Sequence, residues 1–302
     1  MAVASLKLSL MDREVDVRTA AAKALGAMGD ATVVPHLAEA LKRAGAGPRH
    51  EHERMELLPF RMACIDALGE IGGADAIETL IGEDAWGLEH HGSKNGHWYP
   101  SYTDSEKREH RVSRQVTAAL VRIGTPAIGQ LLFALNSYSK RGAATSILER
   151  LGASAVPAIS MAIRDTAAAR QVNLRRNLIR ILGEIGTEEA VEECGRITAD
   201  GVDPNRLDAV SALMRTAKPS AAVWLIGALN TLGAHRHPDH VRSDDPMDSV
   251  VQWLGSYGDQ RAVGALTDVL SIGGSLNGEL RRFAEKALKD IRSRGLAPLV
   301  DG

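Results

Sequence analysis

The sequence has few aromatic residues for its length. Phe, Trp and Tyr make up 4% of the 302 residues, although 44% of the residues are hydrophobic. A compact globule of this size normally fills its centre with large rings, because each ring buries a large apolar area. A core of Ala, Leu, Ile and Val therefore favours thin layers of closely packed helices.

Cysteine and surplus charge are also scarce. Cys64 and Cys194 are the two cysteines, and both fall in apolar helical patterns, which predicts buried thiols in a reducing compartment. The net charge of −2 lacks the basic surplus typical of nucleic-acid-binding proteins. The N-terminus lacks the shape of a signal peptide, and no apolar run approaches the roughly 20 residues of a membrane span. We therefore expect a cytoplasmic protein whose partner is neither nucleic acid nor membrane.

A short pattern recurs along the chain: an arginine, a leucine seven residues later, an apolar residue at ten and a glycine at eleven. The clearest copies are Val17 to Asp30, Phe60 to Gly73 and Leu174 to Thr187. In eight copies the arginine position is held by Arg18, Arg61, Ser113, Arg141, Arg175, Arg206, Met247 and Arg281. Their spacing of 28 to 52 residues is typical of helix-pair repeats with an insertion.

Each copy predicts a pair of helices joined by a tight turn. Ala21, Leu25 and Met28 share one helical face by their spacing. The terminal glycines, expected in left-handed caps, are Gly29, Gly72, Gly124, Gly152, Gly186 and Gly258. Prolines that suit the first turn of the second helix are Pro35, Pro126, Pro157 and Pro219. We call the two helices of a pair helix A and helix B.

The pattern D-x-x-V-R-x-x-A-A-x-A-L-G-x-x-G, nearly complete up to Gly29, resembles the HEAT-repeat family. The chain is most similar to its short bacterial repeats, which are related to phycobilisome (PBS) lyase HEAT-like repeats. The resemblance implies an all-α, right-handed α-solenoid of about eight HEAT-like helix pairs, forming one domain over residues 1–302. It also implies A helices on the convex face and B helices on the concave face. The arginine is expected to brace neighbouring repeats; a ligand-binding arginine ladder is the alternative.

Three links between a B helix and the next A helix are long: residues 44–55, 82–111 and 233–246. They hold nine of the ten histidines, and the second link also holds four aromatic residues. Long loops in compact folds are often functional. Because the first two links flank adjacent repeats, we expect them to form one composite site, with the inserted loop at about 82–111 as its main part.

The candidate partner-binding residues of this site are Trp86, His90, His91, His97, Trp98, Tyr99, Tyr102, His50 and His52. Trp and Tyr are enriched among the residues that dominate binding energy, which favours a protein-binding loop. A structural flap over the solenoid is a second interpretation. A metal site is a third, with His90, His91, His97, His110 and His50 or His52 as ligands. No histidine pair has helical ligand spacing and no cysteine assists, so we expect neither a metal nor a cofactor.

No set of residues in the sequence requires an enzymatic function. Bilin lyases, which bind a tetrapyrrole, share only the repeat with this chain. Deoxyhypusine hydroxylase spreads His-Glu pairs over separate repeats, whereas His50-Glu51 and His52-Glu53 are adjacent here. HEAT-like DNA glycosylases use a basic groove, whereas the fifth B helix carries Glu188, Glu189, Glu192 and Glu193.

The sequence therefore predicts a non-enzymatic scaffold or adaptor for a protein partner. Its binding surface is the concave face of the B helices together with the His- and aromatic-rich edge loop. The polar part of that face is expected from Glu39, Lys42, Arg43, Arg164 and Glu192. A phycobilin lyase-like protein, or another HEAT protein that binds a small ligand or metal, is the alternative.

Overall fold

The fold, taken from a computed structural model, consists of helices and turns. The structure describes residues 2–46, 51–82, 104–168, 171–234, 247–271 and 278–295, and no strand occurs among them. Contacts within the chain define two compact units, Met1–Ala155 and Val156–Gly302. The prediction of one continuous array over the whole chain stays a prediction, and each unit is described by itself.

Unit 1 contains α1 (Ala2–Ser9), α2 (Val15–Met28), α3 (Val34–Ala46), α4 (Glu51–Ile71), α5 (Ala74–Ile81), α6 (Asp104–Ile123), α7 (Ile128–Ala134) and α8 (Arg141–Leu151). Unit 2 contains α9 (Val156–Ala168), α10 (Val172–Ile185), α11 (Glu188–Ala199), α12 (Arg206–Thr216), α13 (Ala221–Ala234), α14 (Met247–Tyr257), α15 (Ala262–Ser271) and α16 (Gly278–Gly295). Even-numbered helices from α2 onwards are A helices, and odd-numbered helices are B helices. The predicted all-α fold built from pairs of helices is confirmed for the residues that the structure describes.

The helices extend further into the long links than the sequence predicted. Helix α3 runs to Ala46 and α4 begins at Glu51, so most of the first link is helical. Helix α6 begins at Asp104, within the predicted loop at about 82–111. Residues 51–55 and 104–111 are rich in charged residues and residues 44–46 contain only Ala and Gly, so none of them has the apolar periodicity that would assign it to a helix.

The predicted left-handed cap is present at Gly29 and Gly186, whereas Gly124 and Gly152 combine a positive φ with ψ of −138° and −132°, outside the left-handed helical region. Positive φ occurs at Gly29, Gly72, Gly124, Gly152 and Gly186. The prediction was wrong at Gly258, which lacks a positive φ and donates its N–H to the carbonyl of Leu254 at 2.8 Å. Ala217 ends α12 in the left-handed region with φ 48°, a conformation that costs a residue with a Cβ roughly 1–2 kcal/mol.

Neighbouring A helices touch where a glycine of one helix meets an alanine of the next. The glycine lies eight residues after the arginine position, and the alanine lies six residues after it in the following copy. A Cβ on Gly69 of α4 would lie 2.7 Å from the Cβ of Ala119 in α6. A Cβ on Gly183 of α10 would lie 2.9 Å from the Cβ of Ala212 in α12. Glycine is thus required by close packing, and we call this contact a glycine joint.

Three of the repeat arginines brace neighbouring helices. Each donates Nε to a main-chain carbonyl in or directly after the preceding B helix: Arg141 to Leu135 at 3.0 Å, Arg175 to Ile163 at 3.2 Å and Arg206 to Thr198 at 2.9 Å. Arg175 is buried and also donates Nη1 to Asp203, in the turn before α12. Arg18 instead lies over the ring of Phe60, 5.3 Å from its centroid, and Arg281 pairs with Glu285 in its own helix. The predicted inter-repeat role is confirmed at Arg141, Arg175 and Arg206.

One stretch, Arg141–Thr166, is long and apolar enough for a membrane span by length and composition, contrary to the expectation from the sequence. The stretch is interrupted at Gly152, where α8 ends with φ 59°. A second candidate joins 111–123 to 125–134 and is bent by 110°. Ile147 and Ile159 of the first stretch are buried in the helical core. Core helices can have the same length and apolar composition as membrane spans.

Candidate protein-binding surface

Of the nine candidate residues of the composite loop site, only His52 lies among the residues that the structure describes. His52 is exposed in the first turn of α4. The others, Trp86, His90, His91, His97, Trp98, Tyr99, Tyr102 and His50, lie outside the described residues. The predicted composite site therefore stays a prediction. The structure does describe the surface of the B helices, which is the other part of the predicted binding surface.

The B helices bury one face and leave the other open to solvent because their apolar residues recur at helical spacing. In α3 the buried residues include Val34, Leu37 and Leu41. The polar residues predicted for the B-helix surface are all exposed: Glu39, Lys42, Arg43, Arg164 and Glu192. Their exposure, unlike their predicted role in binding, is a finding of the structure.

In unit 1 the open face carries an aromatic side chain. Phe133 of α7 is 81% exposed, and Tyr138 just beyond the helix is 80% exposed. The side chain of Gln130, in the first turn of α7, donates to the carbonyl of Ala74 in the first turn of α5, at 3.3 Å. The two B helices thus begin side by side. Phe133 therefore lies toward the edge where α5 ends at Ile81 and the inserted loop leaves it.

In unit 2 a buried carboxylate holds two arginines of neighbouring B helices. Glu193 of α11 is 6% exposed. Its Oε2 accepts a hydrogen bond from Arg164 Nη2 of α9 at 3.3 Å and from Arg196 Nη1 of its own helix at 3.1 Å. Arg196 also donates to Glu192 at 2.5 Å. Because both guanidinium groups meet the same oxygen, their bonded nitrogens lie no more than about 6.4 Å apart.

Exposed apolar side chains lie on the two B helices that contact α11. Met161 of α9 is 63% exposed, and Val223 of α13 is 49% exposed. The ring of Trp224 covers Gly195 of α11 so closely that a Cβ there would lie 2.2 Å from the ring. Helices α9 and α13 both contact α11, so the three helices present one mixed surface with ionic groups at its centre.

Burial makes both thiols poor nucleophiles. Desolvation raises the pKa of Cys194 to about 12, and the neighbouring carboxylate of Glu193 adds to the rise. Desolvation also raises the pKa of Cys64 to about 12, although Arg18 opposes the rise. A thiol reacts as its thiolate, so neither cysteine is suited to covalent catalysis at neutral pH.

An ion pair continues the surface of unit 2 toward α13. Lys218 Nζ lies 3.2 Å from Glu188 Oε1. The nearby hydroxyl group of Ser220 and then the ammonium group of Lys218 lower the pKa of the Glu188 carboxyl. Within the described ranges, no group of three or more His, Cys, Asp or Glu side chains could hold a metal ion. The histidines of the metal interpretation, apart from His52, have no described side chain.

Sequence reasoning missed the pairing of Glu193 with Arg196 and the exposure of Met161 and Val223. Aligning the B helices on their buried residues would have brought these positions together. The signal in the sequence is a charged residue, Glu193, directly before the buried Cys194.

A family model of known proteins matches two copies of the repeat. Residues 17–43 and 60–82, which cover the first two complete helix pairs, match the family model of the PBS lyase HEAT-like repeat. An engineered protein of known structure is 15% identical, with 97% of this chain and 79% of that chain covered, at a TM-score of 0.42. Human deoxyhypusine hydroxylase in complex with glycerol is 16% identical, with coverage of 96% and 84%, at a TM-score of 0.26. No curated protein matches the chain. TM-scores this low do not indicate function.

Proposed function

We propose that this chain, a member of the HEAT-repeat family, is a scaffold that holds a protein partner against the open face of its B helices and the inserted loop at about 82–111. The observation that carries this proposal is the exposure of Phe133, Met161 and Val223 on B helices. Single exposed apolar residues are normal on any protein. Met161 and Val223, however, lie on the two B helices that contact α11, so exposed apolar residues recur on neighbouring B helices of unit 2.

Rigidity supports the same proposal. Two B helices, α9 and α11, are held in their C-terminal halves by Arg175 and Arg206, whose guanidinium groups donate to the main-chain carbonyls of Ile163 and Thr198. A surface that is already ordered loses little conformational entropy when a partner binds, so more of the contact energy appears as affinity. The aromatic residues Trp98 and Tyr99 of the inserted loop are proposed as further anchors, because Trp and Tyr often dominate binding energy.

The test is affinity capture from lysate of the native host, followed by measurement of the affinity of each purified partner. Three variants remove apolar groups from the B-helix surface: Phe133→Ser, Met161→Ser and Val223→Ser. A fourth replaces the loop from Trp86 to His110 by a short Gly-Ser link. Val202→Ser is the matched control, because Val202 is 90% exposed but lies in the turn between α11 and α12.

We expect a partner to be retained by the wild type and by Val202→Ser, and to bind at least about tenfold more weakly to one or more of the four variants. Truncation of one of the few residues that dominate an interface costs about 2 kcal/mol or more, and tenfold corresponds to about 1.4 kcal/mol. Equal affinity for the wild type and all four variants would exclude the B-helix surface and the loop. Loss of binding in Val202→Ser as well would point to a general defect of the protein.

A further inference from the structure

Helix α16 carries more positive than negative charge. Its range Gly278–Gly295 holds six basic and three acidic side chains, a net charge of +3. Arg281 pairs with Glu285 at 3.2 Å. Four other basic side chains are exposed and make no ion pair with any side chain that the structure describes: Arg282, Lys286, Lys289 and Arg292. The helix therefore presents free cations rather than a balanced polar face.

These cations lie on the side of α16 that is open to solvent. At 3.6 residues per turn, the buried side chains from Leu280 to Ile291 define one side of the helix. Arg282 and Lys289 lie opposite this side, with Lys286 and Arg292 to either side of them. The spacing thus gathers four unpaired cations on one exposed face.

A groove between α15 and α16 borders this face. Its volume is about 570 Å³, and its lining includes Leu270 of α15 and Leu288 of α16. Leu288 is buried and Leu270 is half-buried, so the two leucines supply apolar surface inside the groove. Lys289 and Arg292 also line it, and both are exposed. The groove therefore combines apolar surface with two free cations.

The acidic residues of the same two helices do not cancel the charge of the groove. Glu285 lines the groove, but the guanidinium group of its own helix already pairs with it. Asp268 of α15 is not among the lining residues. Glu279 and Asp290 lie on the flank of α16 opposite Arg292, by their helical spacing. An anionic group in the groove would therefore meet two cations that no neighbouring carboxylate neutralises.

We propose that this groove binds an acidic segment of a protein partner, in which an apolar side chain is flanked by carboxylates. The apolar side chain packs on Leu270 and Leu288, and the carboxylates accept charge-assisted hydrogen bonds from Lys289 and Arg292. The fork of a guanidinium group matches a carboxylate with two parallel hydrogen bonds. The proposal goes beyond the scaffold function, which rests on side chains of other helices, so either can hold without the other.

The combination of leucines and cations favours a protein segment over two other anionic partners. The phosphate backbone of a nucleic acid would engage the cations and leave the leucines without a partner. A helix that lies on an anionic membrane needs large apolar side chains on its exposed face. Among the described side chains of α16, no large apolar one is exposed. An acidic segment with one apolar residue uses both features of the groove.

Fluorescence anisotropy with labelled peptides tests the proposal on the full chain. The probe is a peptide with one leucine between glutamates. Three further versions carry glutamine in place of each glutamate, lysine in place of each glutamate, or serine in place of the leucine. We expect the glutamate peptide to bind about tenfold more tightly than any of the three. Its affinity should also fall as salt is raised, because the paired charges are exposed.

The double variant Lys289→Gln/Arg292→Gln should bind the glutamate peptide about tenfold more weakly than the wild type, since both cations line the groove. Its matched control is Lys23→Gln/Arg150→Gln, which changes the net charge equally. Lys23 and Arg150 are also exposed, and they lie on α2 and α8 of unit 1. The control should bind like the wild type. Circular dichroism and melting verify that both variants are folded.

The proposal is overturned if the wild type binds none of the peptides, or binds the glutamine, lysine or serine version at least as well as the glutamate version. It is also overturned if Lys289→Gln/Arg292→Gln and its control bind the glutamate peptide equally well. In those cases the scaffold function stands or falls separately, on the captured partner and the variants of Phe133, Met161 and Val223.

Further probes identify the other occupants of the groove. A labelled single-stranded DNA and vesicles containing phosphatidylserine replace the peptide in the same assay. Tighter binding of either one, lost in Lys289→Gln/Arg292→Gln, would assign the groove to that partner and overturn the proposal. Stronger peptide binding by Leu299→Ser/Val300→Ser would mean that the chain itself competes for the groove, and self-association abolished by Lys289→Gln/Arg292→Gln would assign it to a second copy. Both results would also overturn the proposal.

Discussion

Two successive A helices of unit 2 show how the same repeat closes a joint in two ways. Helix α10 has both motif glycines, and its Gly183 packs against Ala212 of α12. Helix α12 has Met214 and Ala217 at the corresponding positions, and it contacts α14 much less than it contacts α10. Trp253 of α14 bridges that wider joint by donating its Nε1–H to the carbonyl of Met214 at 2.8 Å.

The comparison teaches that one side chain sets the distance between neighbouring A helices. Where the residue eight positions after the arginine is glycine, the backbones approach until an alanine fills the space. Where it is larger, the helices separate and another group must fill the joint. In unit 1, Val121 holds this position in α6, and α6 contacts α8 less than α4 contacts α6.

The largest effect is expected from emptying the wide joint with Trp253→Ala. Trp253 is 6% exposed, and removal of a buried Trp side chain typically costs about 3–5 kcal/mol. The free energy of unfolding, measured with urea, should fall by that amount. Trp253→Phe keeps most of the volume and should lose only about 1 kcal/mol with the hydrogen bond. An equal loss in both variants would mean that the indole N–H, and not its volume, holds the joint.

A smaller effect is expected from adding a methyl group to the glycine joints. Gly69→Ala and Gly183→Ala should each lower the free energy of unfolding by about 1–3 kcal/mol, because the added methyl group meets the next helix. Gly264→Ala in α15 is the control, since a Cβ there meets nothing within 4 Å. This change should stabilise the protein by about 0.5–1 kcal/mol through helix propensity. Thermal melting of the three variants measures the contrast, and a stabilised Gly69→Ala would contradict the packing account.

A still smaller effect should appear at the ends of the two helices. Ala217→Gly is expected to stabilise the protein by about 0.5–1 kcal/mol, because glycine adopts the left-handed region without strain but loses more entropy on folding. Gly186→Ala should destabilise it by about the same amount, since Gly186 has φ 59°. Chemical denaturation of the two variants gives the comparison. The same sign of change in both would show that the backbone conformation is not what distinguishes these helix ends.

The smallest effect is expected in the reactivity of the two thiols, one of which lies in each unit. Cys64 and Cys194 are both fully buried, and burial raises the pKa of each to about 12. Ellman's reagent should therefore react very slowly with the native protein near neutral pH. In Gly69→Ala we expect Cys64 to react first, and in Gly183→Ala we expect Cys194 to react first, through local opening. Rapid reaction of either thiol in the wild type would contradict its burial.

The repeat pattern allowed the helix pairs and most glycine turns to be predicted, because these depend on spacing within one copy. The role of Gly69 and Gly183 depends on Ala119 and Ala212 of the next copy, so a single copy could not reveal it. The same limit applies to the candidate site. Exposure of Arg164 and Glu192 follows from helical periodicity, but burial of Glu193 depends on an arginine of the preceding B helix.

The two kinds of joint also give unit 2 an uneven stiffness. A glycine joint joins two backbones over a short distance, so it has little room to shear or to stretch. The joint between α12 and α14 depends on one indole ring and one hydrogen bond, which can slide or break before the neighbouring helices unwind. Under a pulling force we therefore expect α12 and α14 to separate first, at the contact that Trp253 makes.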